Sequence, residues 1–283
     1  MLFRSTLGPA LGGAIVASAG APAAFLVNTC SYAALVSVVA GWRRTLLPTS
    51  LPPESIGAAI AAGLRYAHLS KPISTVLQRA AAFGFGAGAL WATLPLVARD
   101  LLRGGPLTFG TLLGGFGAGA VVAAFASTGL RRQHGYNRVA TVAGVSFAIA
   151  TAISALSSWL SVTLFAAAVA GASWVLSFST FNVVVQMSSP RWVVGRTLAL
   201  YQTAAFGGAA VGAWAWGVTA ENLGLAHSLL SAAAVLAVTC LWLGRNRALE
   251  IQVVEDLAPS SLASGGPSLA VPASVGQIGR AHV

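Results

Sequence analysis

GASWVLSFSTFNVVVQ at 171–186, MSSPRWVVGR at 187–196 and TLALYQTAAFGGAAVGAWAWG at 197–217 form the stretch on which the fold turns. Two apolar runs, each long enough to span the roughly 30 Å hydrocarbon core of a bilayer, are joined by a short loop holding Pro190, Arg191 and Arg196. This is the pattern of a membrane helical hairpin. Asn182, Gln186, Tyr201 and Gln202 lie inside the runs. Polar groups at that depth are costly in hydrocarbon, so these four are expected to face protein or a water-filled cavity, as the lining of a transport path would.

The composition of the whole chain agrees. Of 283 residues, 56% are hydrophobic and 8% charged, with a mean hydropathy of +0.79, whereas a soluble domain carries roughly 25% charged residues. The net charge of +10 comes from basic residues placed singly or in pairs between apolar runs, with no basic face, so nucleic acid is not an expected partner. Cys30 and Cys240 each sit inside an apolar run and are expected to serve packing rather than a disulfide. The chain contains no H-E-x-x-H, G-x-S-x-G or G-x-x-x-x-G-K-[ST], so neither an enzyme nor an ATP-driven pump is indicated. His68, His134, His227 and His282 are scattered, and neither a metal nor a cofactor is expected.

The chain is expected to be an all-α membrane protein with eight apolar segments, at about 5–20, 22–42, 73–98, 108–130, 138–157, 160–186, 195–219 and 225–244. With the amino end on the cytoplasmic side, Arg4, Arg43, Arg44, Arg65, Lys71, Arg79, Arg131, Arg132, Arg138, Arg191, Arg196, Arg245 and Arg247 fall on that side, and Arg99 and Arg103 on the other. Thirteen against two, with Arg280 left aside, predicts a multi-pass protein of the cytoplasmic (inner) membrane with both termini inside the cell. Residues 43–72 read as a cytoplasmic linker. In it Pro52 and Pro53 stop the preceding structure, Glu54 and Ser55 suit a helix start, and Ile56, Ile60, Leu64 and Ala67 recur at helical spacing. A helix lying at the interface is expected there, with His68 solvated or interfacial rather than a ligand.

Arg79, about two turns into the third segment, has two readings: its side chain snorkels to the headgroups, or it faces a cavity or a neighbouring helix. Trp174, Phe178, Asn182 and Gln186 follow one another at four-residue steps, a stripe that serves either core packing or a cavity wall. Together with Phe83, Trp91, Tyr201, Gln202 and Phe206, these residues are the candidate substrate-cavity set. Trp214 and Trp216 suit an interfacial aromatic belt. Glycines at 84, 86 and 88, at 110, 114, 115, 117 and 119, and at 207, 208 and 212 supply small-xxx-small pairs for close helix packing.

Four motifs resemble the major facilitator superfamily, in its branch of enterobactin exporter-like and transmembrane secretion effector proteins. GPALGG at 8–13 is similar to the end of the antiporter motif of the fifth helix. LWATLPLVARDLL at 90–102 resembles the seventh helix and its exit. GLRRQHGYNR at 129–138 resembles the cytoplasmic loop signature without its usual acidic residue. GASWVLSFSTFNVVVQ, PRW, GRTLALYQ and FGGAAVGAWAWG resemble helices ten and eleven. The resemblance numbers the eight segments as helices five to twelve of a twelve-helix transporter whose first four helices are missing. Residues 1–42 would end the amino-terminal half, and 73–244 would form the six-helix carboxy-terminal half. It implies a secondary transporter exporting a small drug- or siderophore-like molecule by alternating access, coupled to an ion gradient, with the proton as the expected ion. Within the antiporter motif, Gly8, Gly12 and Gly13 would permit tight packing and Pro9 a kink. Arg131, Arg132, Arg138, Arg191 and Arg196 would form a cytoplasmic rim that gates the cavity, or they only set topology. A membrane scaffold without transport is the alternative, and it needs no polar cavity.

The ends of the chain are expected to be artificial. Residues 245–283 read as a disordered cytoplasmic tail rich in Ser, Pro, Gly and Ala. Its last seven residues, 277–283, read as a translated sequencing adapter, and the native start is expected four helices upstream of Met1, which would leave the fragment inactive alone.

Overall fold

The structure, a computed structural model, describes residues 23, 25–42 and 55–249. The first apolar segment, the motif at Gly8, Pro9, Gly12 and Gly13, and the tail beyond residue 249 lie outside the described residues. Among the described residues all regular structure is helical: α1 (Phe25–Gly41), α2 (Ile56–Leu69), α3 (Lys71–Leu96), α4 (Pro106–Leu156), α5 (Leu160–Met187), α6 (Val194–Leu223) and α7 (Leu225–Asn246).

Local chemistry sets the boundaries. The Ser55 hydroxyl accepts the Ala58 N–H at 3.3 Å and caps α2. Pro72 and Pro106 stand in the first turns of α3 and α4, where a missing N–H costs nothing. Pro95, inside α3, removes a donor, and the chain beyond it widens into a π-helical turn, Val97–Leu101. α4 is interrupted at Gly135, whose φ of 76° and ψ of 161° lie where a side chain is disfavoured. The fourth and fifth expected segments are thus the two arms of α4, 106–134 and 136–156, with the turn at glycine.

Among the described residues, four helices are long and apolar enough to cross a membrane: α3 with its π turn (Lys71–Leu101), α4, α5 and α7. α6 is 30 residues long and packs along α3. α1 is a shorter apolar helix, exposed along its described length from Phe25 to Gly41, Cys30 included. Cys240 does pack, against Gly144 of α4.

Close approach of backbones joins α3 to α6. A Cβ added at Gly84 or Gly88 would overlap the carbonyl oxygens of Ala205 or Ala209, and one at Gly208 or Gly212 those of Ala81 or Phe85. Without a hydrophobic force between helices in lipid, such small-residue contact is what holds them together. Trp216 seals the seam from the side: it is 8% exposed, and its indole N–H donates to the Phe85 carbonyl at 2.9 Å. The Ser228 hydroxyl of α7 in turn donates to the Trp216 carbonyl at 2.6 Å. Trp216 is therefore not a belt residue, whereas Trp214, two positions earlier, is 72% exposed. The hydrogen bond wins because indole N–H seeks an acceptor when the ring is buried.

One end of the bundle gathers the basic residues. The α4 turn, the α5–α6 loop, the start of α3 and the end of α7 meet there. Tyr136 hydroxyl lies 3.8 Å from Met187 Sδ, and Asn137 Nδ2 donates to the Gly244 carbonyl at 3.0 Å. α2 lies on this end, where Gly63 meets the Arg196 side chain and the Tyr66 hydroxyl donates to the Ser188 carbonyl at 3.0 Å. Of the apolar stripe expected on α2, Ala67 is buried, while Ile60 and Leu64 are more than half exposed. α2 meets the bundle through Gly63, Tyr66 and Ala67, whose small or flat surfaces allow approach, and turns its larger apolar residues outward. Arg99 and Arg103 stand at the opposite end, where Arg99 pairs with Asp100 at 2.6 Å.

Candidate functional site

Aromatic side chains from α3, α4, α5 and α6 converge in the middle of the bundle. Phe83, 1% exposed, is the centre. Its ring lies 5.5 Å from Phe147, 5.8 Å from Trp174, 5.9 Å from Phe178 and 6.4 Å from Phe181. Trp174 stacks on Phe178 at 4.4 Å and 26°, the overlap that a four-residue step on α5 produces. Trp91 closes on Trp174 at 5.6 Å and on Phe116 at 4.9 Å, both edge to face. Phe206 reaches Phe178 from α6 at 5.7 Å. Edge-to-face and offset rings align their quadrupoles, so the cluster holds a fixed shape.

The cluster is not sealed. Between α3, α5 and α6 it opens into a groove of about 480 Å³, lined by Gly88, Trp91, Ala92, Trp174, Phe206, Ala209 and Ala213. Trp91 and Phe206 are 41% and 56% exposed on its flanks, with half-buried Trp174 between them. The volume is within the range of small-molecule sites, and the lining is apolar and aromatic, as such sites are. The groove has a floor because Gly88 lets α3 approach α6 to backbone contact.

The polar members of the expected set fall elsewhere. Asn182 and Gln186 continue the α5 stripe toward the basic end, and Gln186 Nε2 donates to Asn182 Oδ1. Gln186 and Gln202 are exposed and Asn182 is half-buried. Tyr201 is 2% exposed, and its hydroxyl donates to the Phe178 carbonyl at 3.1 Å, tying α6 to α5 below the aromatic stack. Arg79 lies outside the groove. It is 4% exposed, with Nη1 donating to Asn137 Oδ1, Nη2 to Thr141 Oγ1 at 2.8 Å, and Nη1 also to the Arg247 carbonyl at 3.5 Å. Of its two sequence readings, the geometry is that of a cation meeting a neighbouring helix.

Among the rim residues, Arg131 donates to Ser179 Oγ at 3.0 Å and so joins α4 to α5, while Arg132 and Arg138 are exposed beside Gly135. Arg191 is exposed and Arg196 half-buried at the α5–α6 loop. Phe116, Phe147, Phe181 and Asn137 complete the aromatic cluster and the Arg79 node without having been singled out in the sequence. The aromatics lie on α4 or off the four-step stripe, and only Asn137, at the foot of an apolar arm, carried a polar signal. No group of three or more His, Cys, Asp or Glu residues comes together among the described residues.

Compared with known families, the chain matches the transmembrane secretion effector family over residues 2–278. No curated protein matches it. The chain belongs to this family, a branch of the major facilitator superfamily, and is a multi-pass membrane protein of a transporter family.

Proposed function

We propose that this family member carries the carboxy-terminal part of a secondary transporter that exports a small, largely apolar molecule by alternating access, and that the groove between α3, α5 and α6 is its share of the substrate path. The observation that carries this reading is the open aromatic groove of about 480 Å³ at Trp91, Trp174 and Phe206. A packing cluster has no need of an open side, whereas a substrate site does. The glycine seam between α3 and α6 supports the same reading, because small contacts let helices slide where interlocked side chains resist. In this reading α3 to α7, with α4 crossing twice, are six spans of an eight-span chain. The basic end is cytoplasmic, the amides of Asn182 and Gln186 face water when the cavity opens inward, and the coupling ion is the proton. Asp100 and Glu221 are the carboxylates among the described residues, both exposed and at the end opposite the basic one.

The test uses the full-length gene of the source locus, expressed in cells lacking their main exporters and loaded with aromatic dyes. Energised cells are expected to expel at least one dye, with the rate falling at least tenfold for Trp174→Ala and unchanged for Trp214→Ala. Equal rates for Trp174→Ala and the unaltered protein would remove the groove from the path. No energy-dependent efflux of any dye would favour a scaffold.

A further inference from the structure

At the basic end, the start of α3 and the end of α7 enclose a second cavity, of about 160 Å³, with a largely polar lining. Lys71, Arg245 and Arg247 line it, and no carboxylate of the described residues does. None of these three side chains makes a hydrogen bond or ion pair among the described residues. Thr75 completes the wall. It is 2% exposed and its hydroxyl has no hydrogen-bond partner, although helical threonines in this chain commonly return theirs to the preceding turn, as Thr93 does to the Ala89 carbonyl at 2.8 Å and Thr151 to that of Phe147 at 2.9 Å. A hydroxyl left without a partner on a buried side chain, beside three exposed cations that pair with none of the described residues, suits an acceptor from outside the chain. Topology alone accounts for basic residues at helix ends, but it requires neither a concave arrangement nor a threonine hydroxyl left over in its wall.

We propose that this cavity binds the phosphate of an anionic lipid headgroup. The phosphodiester has the oxygens to accept from both guanidiniums, the Lys71 ammonium and the Thr75 hydroxyl together. The location selects lipid as the source, because the cavity lies where two membrane-length helices end, the level at which headgroups meet a membrane protein. A bound phosphate would bridge α3 and α7 just beyond the Arg79–Asn137 node, where Asn137 Nδ2 already holds the Gly244 carbonyl at 3.0 Å. The lipid then acts as an outer fastener for the end of α7, independent of what the aromatic groove carries.

Native mass spectrometry of the full chain, titrated in detergent with phosphatidylglycerol, with phosphatidylcholine of the same acyl chains and with inorganic phosphate, tests this. Phosphatidylglycerol is expected to bind at least tenfold more tightly than phosphatidylcholine. The triple variant Lys71→Gln, Arg245→Gln, Arg247→Gln should lose about 100-fold of that affinity, from a severalfold contribution of each cation. Arg131→Gln with Arg132→Gln, on the same end but outside the cavity, should lose none. Thr75→Val and the charge-keeping pair Arg245→Lys, Arg247→Lys preserve the fold should the triple variant not assemble. Thr75→Val is expected to weaken binding severalfold, and the lysine pair to retain most of it. Equal affinity for the two lipids, or full affinity in both the triple and Thr75→Val variants, overturns the proposal. Displacement of the lipid by millimolar inorganic phosphate would overturn the lipid assignment in favour of a soluble phosphate.

Discussion

Replacing Gly212 by alanine should separate two helices that the same change at Gly207 leaves alone. A Cβ at Gly212 would overlap the Phe85 carbonyl oxygen, whereas one at Gly207 meets nothing within 4 Å. Ordinary contact begins near 3.4 Å, so relief requires the α3 and α6 backbones to part by more than about 1 Å. Overpacking of this kind costs about 1–3 kcal/mol. The Phe85 carbonyl also accepts the Trp216 indole N–H at 2.9 Å, and weakening that bond adds about 1 kcal/mol. Alanine returns about 1 kcal/mol through its better helix propensity, leaving a net loss of about 1–3 kcal/mol for Gly212→Ala. With about 2–4 °C per kcal/mol for a chain of this size, the melting temperature should fall by about 2–12 °C. Gly207→Ala should leave it unchanged or raise it by up to about 4 °C. Fluorescence-detected size exclusion after heating in detergent reads both. A Gly212→Ala protein that melts with the unaltered one, or a Gly207→Ala protein that falls as far, would refute the seam.

At the Arg79 node, Asn137→Leu is expected to destabilise by about 1–3 kcal/mol more than Arg79→Met, because it strands a buried cation together with the Gly244 carbonyl, while the methionine removes the charge and keeps the volume; thermal melts showing the reverse order would refute that account. Reporter fusions after Gly135 and after Arg247 should lie on one side of the membrane and a fusion near Gly104 on the other, since the first two positions share the basic end. Identical signals from Gly104 and Gly135 would contradict two arms in α4. Single cysteines at Asn182, Gln186 and Gln202 in the membrane-embedded protein should react with small water-soluble thiol reagents and be protected by substrate; inertness at all three would return the α5 stripe to plain packing.

Much of this fold was legible because length and composition carry it: a bilayer demands about 20 apolar residues per crossing, and loops punctuated by Arg, Pro and Gly mark where each crossing stops. The hairpin around Pro190 and the approximate bounds of α3, α5, α6 and α7 follow from that alone. The break in α4 was legible only as a gap between two apolar runs. That the gap is a single glycine at φ 76°, with helix on both sides, depends on a backbone angle that no hydropathy pattern encodes.

What escaped the sequence shares one cause. In water, a hydrophobic stripe points inward, and its period reveals the buried face of a helix. In a bilayer the outside is as apolar as the inside, so the same stripe no longer distinguishes them. Trp214 and Trp216 are equivalent to a hydropathy scale, yet one is exposed and the other is bonded to a backbone carbonyl of α3. Ile60 and Leu64 look like the inner face of α2 and lie outside, while Gly63 lies within. The informative residues are those for which lipid is a poor neighbour or which allow a backbone to come close: Arg79, Asn137, Tyr201 and the glycines of the α3–α6 seam. Each of these marks a helix contact. The aromatic groove was half legible for the same reason. The stripe from Trp174 through Phe178 identified one wall by its four-residue step, but the opposite wall at Trp91 and Phe206 is set by how closely α3 and α6 approach, which Gly88 and Gly212 decide without contributing a side chain of their own.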